Sequence, residues 1–299
     1  MVRILLPLIF AAFGTTAHAD VPFVATDIPP VHSLVARVMA GIGAPDLIIR
    51  AGASPHGYSL RPSEAVALER ADLVVWVGPS LTPWMERTLQ VLAADARQIA
   101  LMEVEATVKL RARKEAIFED HSSDHDHGLI DPHGWLDPVN GRVWLDVIAR
   151  ELADLDPKNA DNYLANATAG QAEIDTAMSD AADLLAPLNG VPFAVFHDAF
   201  QYFETRFDLS PKAAIFTGDA RAPGPARIAT LRQLMQAEEI ACLVAEPQFD
   251  QSFATLVLEG SDAKVVEVDP LGAAIEAGPG LYVTLIGAMA AGLAGCRQG

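Results

Sequence analysis

Four of the eight histidines in this chain crowd into one stretch, "HSSDHDHGLIDPHGWLDP", which runs from His121 to Pro138. Imidazole at neutral pH is a proton carrier or a metal ligand, so the question is which histidines the fold would bring together. Three stand where loops meet regular elements. His56 lies in "AGASPHGYSLRPSEA", beyond the apolar run DLIIRAG and ahead of a helix that begins near Pro62. His133 lies in "DPHGWLDP", between two Asp-Pro steps and before a helix that begins near Pro138. His197 follows the β-branched and aromatic run VPFAVF directly. Three imidazoles from separate loops would make a nitrogen-rich site of the kind zinc accepts, with a fourth position for a carboxylate or water. Asp269 in "VVEVDPLG" also ends a strand-like run and could supply that carboxylate. No HExxH or CxxC pattern is present, so spacing alone leaves scattered surface histidines as the alternative.

The elements that would position these residues alternate. VPFVAT, DLIIRAG and DLVVWVG are each followed by a helical pattern, at Val31 to Met39, Pro62 to Arg70 and Pro83 to Leu92. After Pro187 the alternation resumes with VPFAVFH, AAIFTG, CLVAEP and KVVEVDP. Strand and helix in alternation imply parallel sheets, whose ligands bind outside the carboxyl ends of the strands. Between the two units, Tyr163, Ala167, Gly170, Ile174, Ala177, Ala181 and Leu184 recur at gaps of three and four, one apolar stripe along a helix. About thirty residues of helix would span roughly 45 Å, enough for a stiff spine from one unit to the other. The expected class is α/β, two lobes with mainly parallel sheets flanked by helices and joined by a long rigid helix. The expected division is a leader over 1–19, an N-terminal lobe over 20–155, a linking helix over 156–187 and a C-terminal lobe over 188–299.

The opening MVRILLPLIFAAFGTTAHAD has Arg3 before an apolar run from Ile4 to Phe13 and a small-residue cleavage motif, Ala17-His18-Ala19. This reads as a secretory signal peptide cleaved after Ala19. A membrane anchor would need about 20 apolar residues. No cysteine follows the run, so no lipid anchor is expected. Cleavage would remove Arg3 and leave 280 residues with a net charge of −19. Such acidity repels nucleic acid and anionic membrane surfaces and suits a protein that meets cations. Cys242 and Cys296 are the two cysteines, and an even pair in an exported protein reads as a disulfide. A shared metal is the alternative, without the CxxC spacing that would support it.

"SPHGYSLRPSEAVALERADLVVWVGPSLTPWM", "DPHGWLDPVNGRVWLDVIARELADLDPKNADNYLANA", "FHDAFQYF", "AEPQF" and "DPLG" together resemble the successive motifs of the cluster A-I (cluster 9) solute-binding proteins of ABC importers. Within that family the chain is most similar to the zinc-specific periplasmic members of the ZnuA type, over nearly all of its length after the leader. The resemblance implies two pseudo-symmetric lobes, a metal in the cleft between them, and His56, His133 and His197 as its ligands. It implies periplasmic Zn2+ capture by a monomer, and delivery to the membrane permease of a zinc importer with its ATPase. A periplasmic zinc chaperone is a further expected partner. Manganese and iron members typically carry glutamate at the third histidine and also use an aspartate, so His197 favours zinc. Some zinc members have a glutamate just before the first histidine. Here that residue is Pro55, which leaves water or Asp269 as fourth ligand. The cysteines resemble the C-terminal-lobe disulfide of the zinc proteins. His121, Asp124, His125, Asp126 and His127, within a low-complexity segment over 119–128, resemble the His- and acid-rich loop of zinc members, an auxiliary collector of cations.

Other residues near these motifs have second readings. His32 reads as structural, Asp198 as orienting an imidazole or starting a helix, and Glu246 as standing behind a ligand. Trp135, Tyr58 and Phe200 read as apolar walls of the site or as ordinary core. A zinc hydrolase would share the three-histidine arrangement but needs a positioned base and a substrate pocket, and no pattern here supplies them.

Overall fold

The computed structural model describes residues 21–113, 117–118, 129–216, 223–249 and 252–297. The leader and the segment over 119–128 with His121, Asp124, His125, Asp126 and His127 lie outside the described residues.

In chain order the elements are β1 (Val24–Thr26), α1 (Pro29–Val38), β2 (Asp46–Leu47), α2 (Pro62–Glu69), β3 (Leu73–Trp76), α3 (Pro83–Leu92) and β4 (Arg97–Ala100). Then come α4 (Pro138–Leu155) and α5 (Ala160–Leu185). The second half holds β5 (Phe193–His197), α6 (Gln201–Arg206), β6 (Ala213–Phe216), α7 (Pro225–Ala237), β7 (Cys242–Ala245), α8 (Ser252–Leu258), β8 (Lys264–Glu267) and α9 (Leu281–Ala294). Two parallel four-stranded sheets result, ordered β2-β1-β3-β4 and β6-β5-β7-β8. Each sheet places its second strand outside its first and then adds the third and fourth on the other side, so the two lobes repeat one topology. The fold is the α/β class that the alternating pattern implies.

The central strands are the apolar runs. β3, β5 and β7 are buried throughout, as strands covered on both faces must be. The edges read differently. β2 is regular for two residues only, although Ile48 and Ile49 continue to donate to the Thr26 and Asp27 carbonyls of the neighbouring chain. β4, with the sequence RQIA, buries Ile99 alone and pairs with β3 from Leu73↔Arg97 to Trp76↔Ala100.

Proline at the first helical positions starts α1, α2, α3, α4 and α7, where its missing N–H costs nothing. α5 is the longest helix, and 3-10 turns over Pro157–Asn159 and Ala186–Leu188 flank it. Its buried stripe is Tyr163, Ala167, Gly170, Ile174, Ala181 and Leu185. Leu184 is instead exposed, because a strict three-four alternation drifts off a 3.6-residue helix over this length. α5 packs against α1 and α4 from the first half and α9 from the second, so it touches both lobes. Gly170 of α5 allows this closeness: a Cβ there would come to 3.0 Å from Arg37 of α1 and from Leu145 of α4.

Cys242 at the start of β7 is disulfide-bonded to Cys296 beyond α9, with Cα atoms 5.3 Å apart. Among the described residues no helix is long and apolar enough to cross a membrane.

Candidate metal centre

Three loops at the carboxyl ends of strands converge on one point. His56 comes from the β2–α2 loop, which Trp84 pins by donating from Nε1 to the Pro55 carbonyl at 3.1 Å. His197 is the last residue of β5. His133 precedes a single 3-10 turn, Gly134–Leu136, that leads into α4. That turn is tightly specified. A Cβ on Gly134 would clash with the Met102 sulfur, so any larger residue beside the ligand would have to push that side chain aside. Asp137 caps α4 by accepting from the Val139 N–H at 2.9 Å, and its two oxygens take a paired contact of 2.8 Å each from Arg206 of α6. Trp135 donates from Nε1 to the Pro270 carbonyl, and Tyr282 donates its hydroxyl proton to the Trp135 carbonyl. Three residues from the second half of the chain, Arg206, Pro270 and Tyr282, therefore hold the His133 turn.

One ring nitrogen from each of His56, His133 and His197 lies within 4.8 Å of the others. The ring centroids are 5.1 to 5.6 Å apart and the rings stand edge to face. His133 and His197 are buried, while His56 is partly open to solvent. Each buried imidazole has an acid behind it. Asp131 Oδ1 lies 2.7 Å from His133 Nδ1, which leaves Nε2 as the donor of a lone pair. Glu246 Oε1 lies 3.4 Å from His197 Nδ1. Burial works against a charged imidazole at His197, but the carboxylates of Glu246, Asp198 and Asp131 together outweigh it and raise the pKa above the ordinary value. The Nε2 of His197 is buried without a hydrogen-bond partner among the described residues. A buried polar atom in that state points to a ligand.

Asp269 stands outside this group. Its Oδ1 accepts from Gln248 Nε2 at 2.7 Å and from the Leu271 N–H at 2.9 Å, and its Oδ2 accepts from the Ala273 N–H. The carboxylate closes the turn that carries Pro270 and Leu271 along the site wall.

The neighbours sort differently from the sequence reading in two places. The Asp198 carboxylate pairs with Arg113 at 2.7 Å and not with an imidazole, and it starts no helix, since α6 begins only at Gln201. Tyr58 donates to Glu64 at 2.8 Å and lies against Trp84, so it braces the His56 loop. Trp135 lines the site at 5.2 Å from the His133 ring, Phe200 is buried core, and His32 contacts the Pro45 carbonyl. Asp131 was missed by sequence reasoning, although its place two residues before a ligand histidine, in Asp-Pro-His, was the available signal. Phe249, 5.2 Å from the His197 ring, lies within the AEPQF motif but was not singled out there.

The family model for ZnuA, the zinc-uptake complex component A periplasmic, matches residues 24–296. A high-affinity zinc uptake system protein ZnuA from Paracoccus denitrificans is 38% identical over 316 residues, covering 96% of either chain. Its namesake from Brucella abortus is 36% identical and covers 95% of this chain and 94% of its own length. A crystal structure of ZnuA superposes with a TM-score of 0.79 at 24% identity, over 93% of this chain and all of that one. The solute-binding protein FpvC from Pseudomonas aeruginosa, in complex with Mn2+, superposes at 0.78 and 22% identity, over 92% of this chain and 98% of its own. At such identities these two structures speak to the fold. The family model and the two bacterial relatives speak to descent, and by them the chain belongs to the family of periplasmic zinc-uptake complex component A proteins.

Proposed function

We propose that this protein captures Zn2+ in the periplasm through His56, His133 and His197 and delivers it to the membrane permease of an ABC importer, whose ATPase works on the opposite side. The observation that carries this reading is the convergence of three imidazole nitrogens within 4.8 Å, one of them buried and unpartnered. An all-imidazole donor set suits zinc better than the oxygen-rich set that manganese prefers. Water takes the fourth position, because Asp269 is not among the residues whose ligand atoms gather at this point. The leader directs export and is cleaved after Ala19, and the protein acts as a monomer that can receive metal from a periplasmic chaperone. The acidic, histidine-rich segment over 119–128 serves as an auxiliary collector.

This is a carrier and not an enzyme: bound zinc is cargo, and turnover of ester or peptide substrates by the loaded protein would contradict it. The direct test is a zinc titration of the chelator-stripped mature chain beside two variants. The His56, His133, His197→Ala triple variant should lose the one tight equivalent. A variant lacking His121, His125 and His127 should keep it. Tight binding that survives the triple substitution would place the site elsewhere.

A further inference from the structure

Behind the three histidines lies a second layer of charge, formed by chain that crosses from the first lobe to the second. Leading away from β4, the chain donates from Leu110 N–H to the Tyr202 hydroxyl of α6 at 2.9 Å. Further on, Ile117 bridges antiparallel to Ala213 at the free edge of β6, and the Phe118 N–H donates to the Lys212 carbonyl. Between these anchors stands Arg113. Its guanidinium reaches Asp198 through Nη2 at 2.7 Å and Nε at 3.2 Å, and Glu204 through Nη2 at 2.6 Å. It lies over the Phe118 ring at 3.9 Å. Both carboxylates are buried, while the arginine keeps 20% of its side chain exposed. A charge fork of this kind fixes direction as well as position.

Asp198 is the residue after His197, and its own N–H is tied to the Phe216 carbonyl across the sheet. Tyr202, which receives Leu110, donates in turn to the carbonyl of Asp131, the acid that orients His133. One crossing segment therefore touches the supports of two ligands contributed by different parts of the chain.

We propose that Arg113 is a positioning residue for metal capture: by clamping Asp198 and Glu204 it holds the His197–Asp198 turn in the orientation that aims the imidazole at the ion. The proposal rests on the three-histidine reading above and adds to it a residue that touches neither metal nor ligand. Partners that hydrogen-bond a ligand directly typically change metal affinity by about 10–100-fold when removed. Arg113→Met, one contact further out, should weaken zinc binding severalfold, up to about tenfold, the low end of that range. Arg113→Lys, which keeps the charge but has a single ammonium in place of the fork, should fall between Met and wild type.

The test measures zinc affinity by chelator competition and the visible spectrum of the Co2+-loaded protein, whose ligand-field bands report the geometry of the donor set. Wild type is measured alongside, so absence of tight zinc in wild type overturns the three-histidine reading, whereas the Arg113 variants test only the clamp. The expected result is weakened zinc binding with altered cobalt bands in Arg113→Met and intermediate values in Arg113→Lys. Arg113→Met that binds zinc as wild type does, or weakened binding with unchanged cobalt bands, would reduce Arg113 to a structural ion pair and overturn the inference. Should Arg113→Met fail to fold, Arg113→Lys carries the test, and wild-type affinity and bands in it overturn the proposal.

Discussion

Asp131 meets His133 twice: its Oδ1 accepts the backbone N–H of that residue at 3.0 Å and lies 2.7 Å from the ring Nδ1. One oxygen thus sets both the position of the backbone and the tautomer of the ligand. Asp131→Asn offers Nδ1 a weaker acceptor and should reduce zinc affinity by about 10–100-fold. His133→Ala removes the ligand and should cost more. Chelator competition on both variants checks the order, and a wild-type affinity in Asp131→Asn would mean that the carboxylate does not tune the imidazole.

Zinc must displace protons from its imidazoles, so affinity should fall as the pH falls. With Glu246, Asp198 and Asp131 together holding the His197 pKa above its ordinary value, protons begin to compete at a higher pH than for a free histidine. A Kd series from pH 8 to 5 should show this loss, and Glu246→Gln should move its onset to lower pH. A Kd flat across that range is incompatible with a three-histidine site.

A different acid governs the stability of the metal-free protein. Asp27, at the end of β1, is fully buried and accepts from the N–H groups of Ile28 and Val77. Burial pushes its pKa up from 3.8 to about 7, against the lowering effect of those N–H groups. Between those values the folded state holds a proton that the unfolded state has released. Its contribution therefore falls as the pH rises through that window, by at most about 1.4 kcal/mol per pH unit, and levels off above it. Asp27→Asn loses an acceptor but carries no charge. Its stability relative to wild type, from urea midpoints, should improve from pH 5 to pH 7.5. A constant difference would show that Asp27 is ionised throughout.

The disulfide ties β7, the strand that ends next to Glu246, to the end of α9. Its reduction should lower the stability of the metal-free protein by roughly 2–5 kcal/mol. Paired denaturation curves with and without reductant measure this. Unchanged midpoints would show that packing alone holds the two segments.

Much of this was legible in the sequence because burial leaves a pattern. The runs that became β3, β5 and β7 are apolar on both faces, and α3 occupies the very residues its spacing suggested, Pro83–Leu92. The three histidines stood at loop positions beside strands and helix starts, which is where this fold gathers ligands. One edge element, β4, left a fainter trace. β4 contains Arg97 and Gln98 because an edge strand with one covered face needs little apolar surface, so it does not announce itself. Glu246 behind His197 was legible from its place after a strand, but the partner of Asp198 was illegible for another reason. Asp198 is adjacent in sequence to His197 yet answers to Arg113, 85 residues away, and no local pattern encodes that distance. Tyr202, reaching Asp131 across 71 residues, is a similar case.

His56 hangs from the first sheet, His197 ends a strand of the second, and His133 sits in a turn gripped by both halves. An ion held by all three would act as a removable rivet across the molecule. Any ligand that binds only the native state adds RT ln(1 + [L]/Kd) to its stability, about 4 kcal/mol when free ligand is a thousandfold above Kd. Resistance to heat and proteases would then rise and fall with the zinc in the surroundings. In a starved cell the empty carrier would be the copy most readily destroyed, and a loaded one would outlast it until its cargo is passed on.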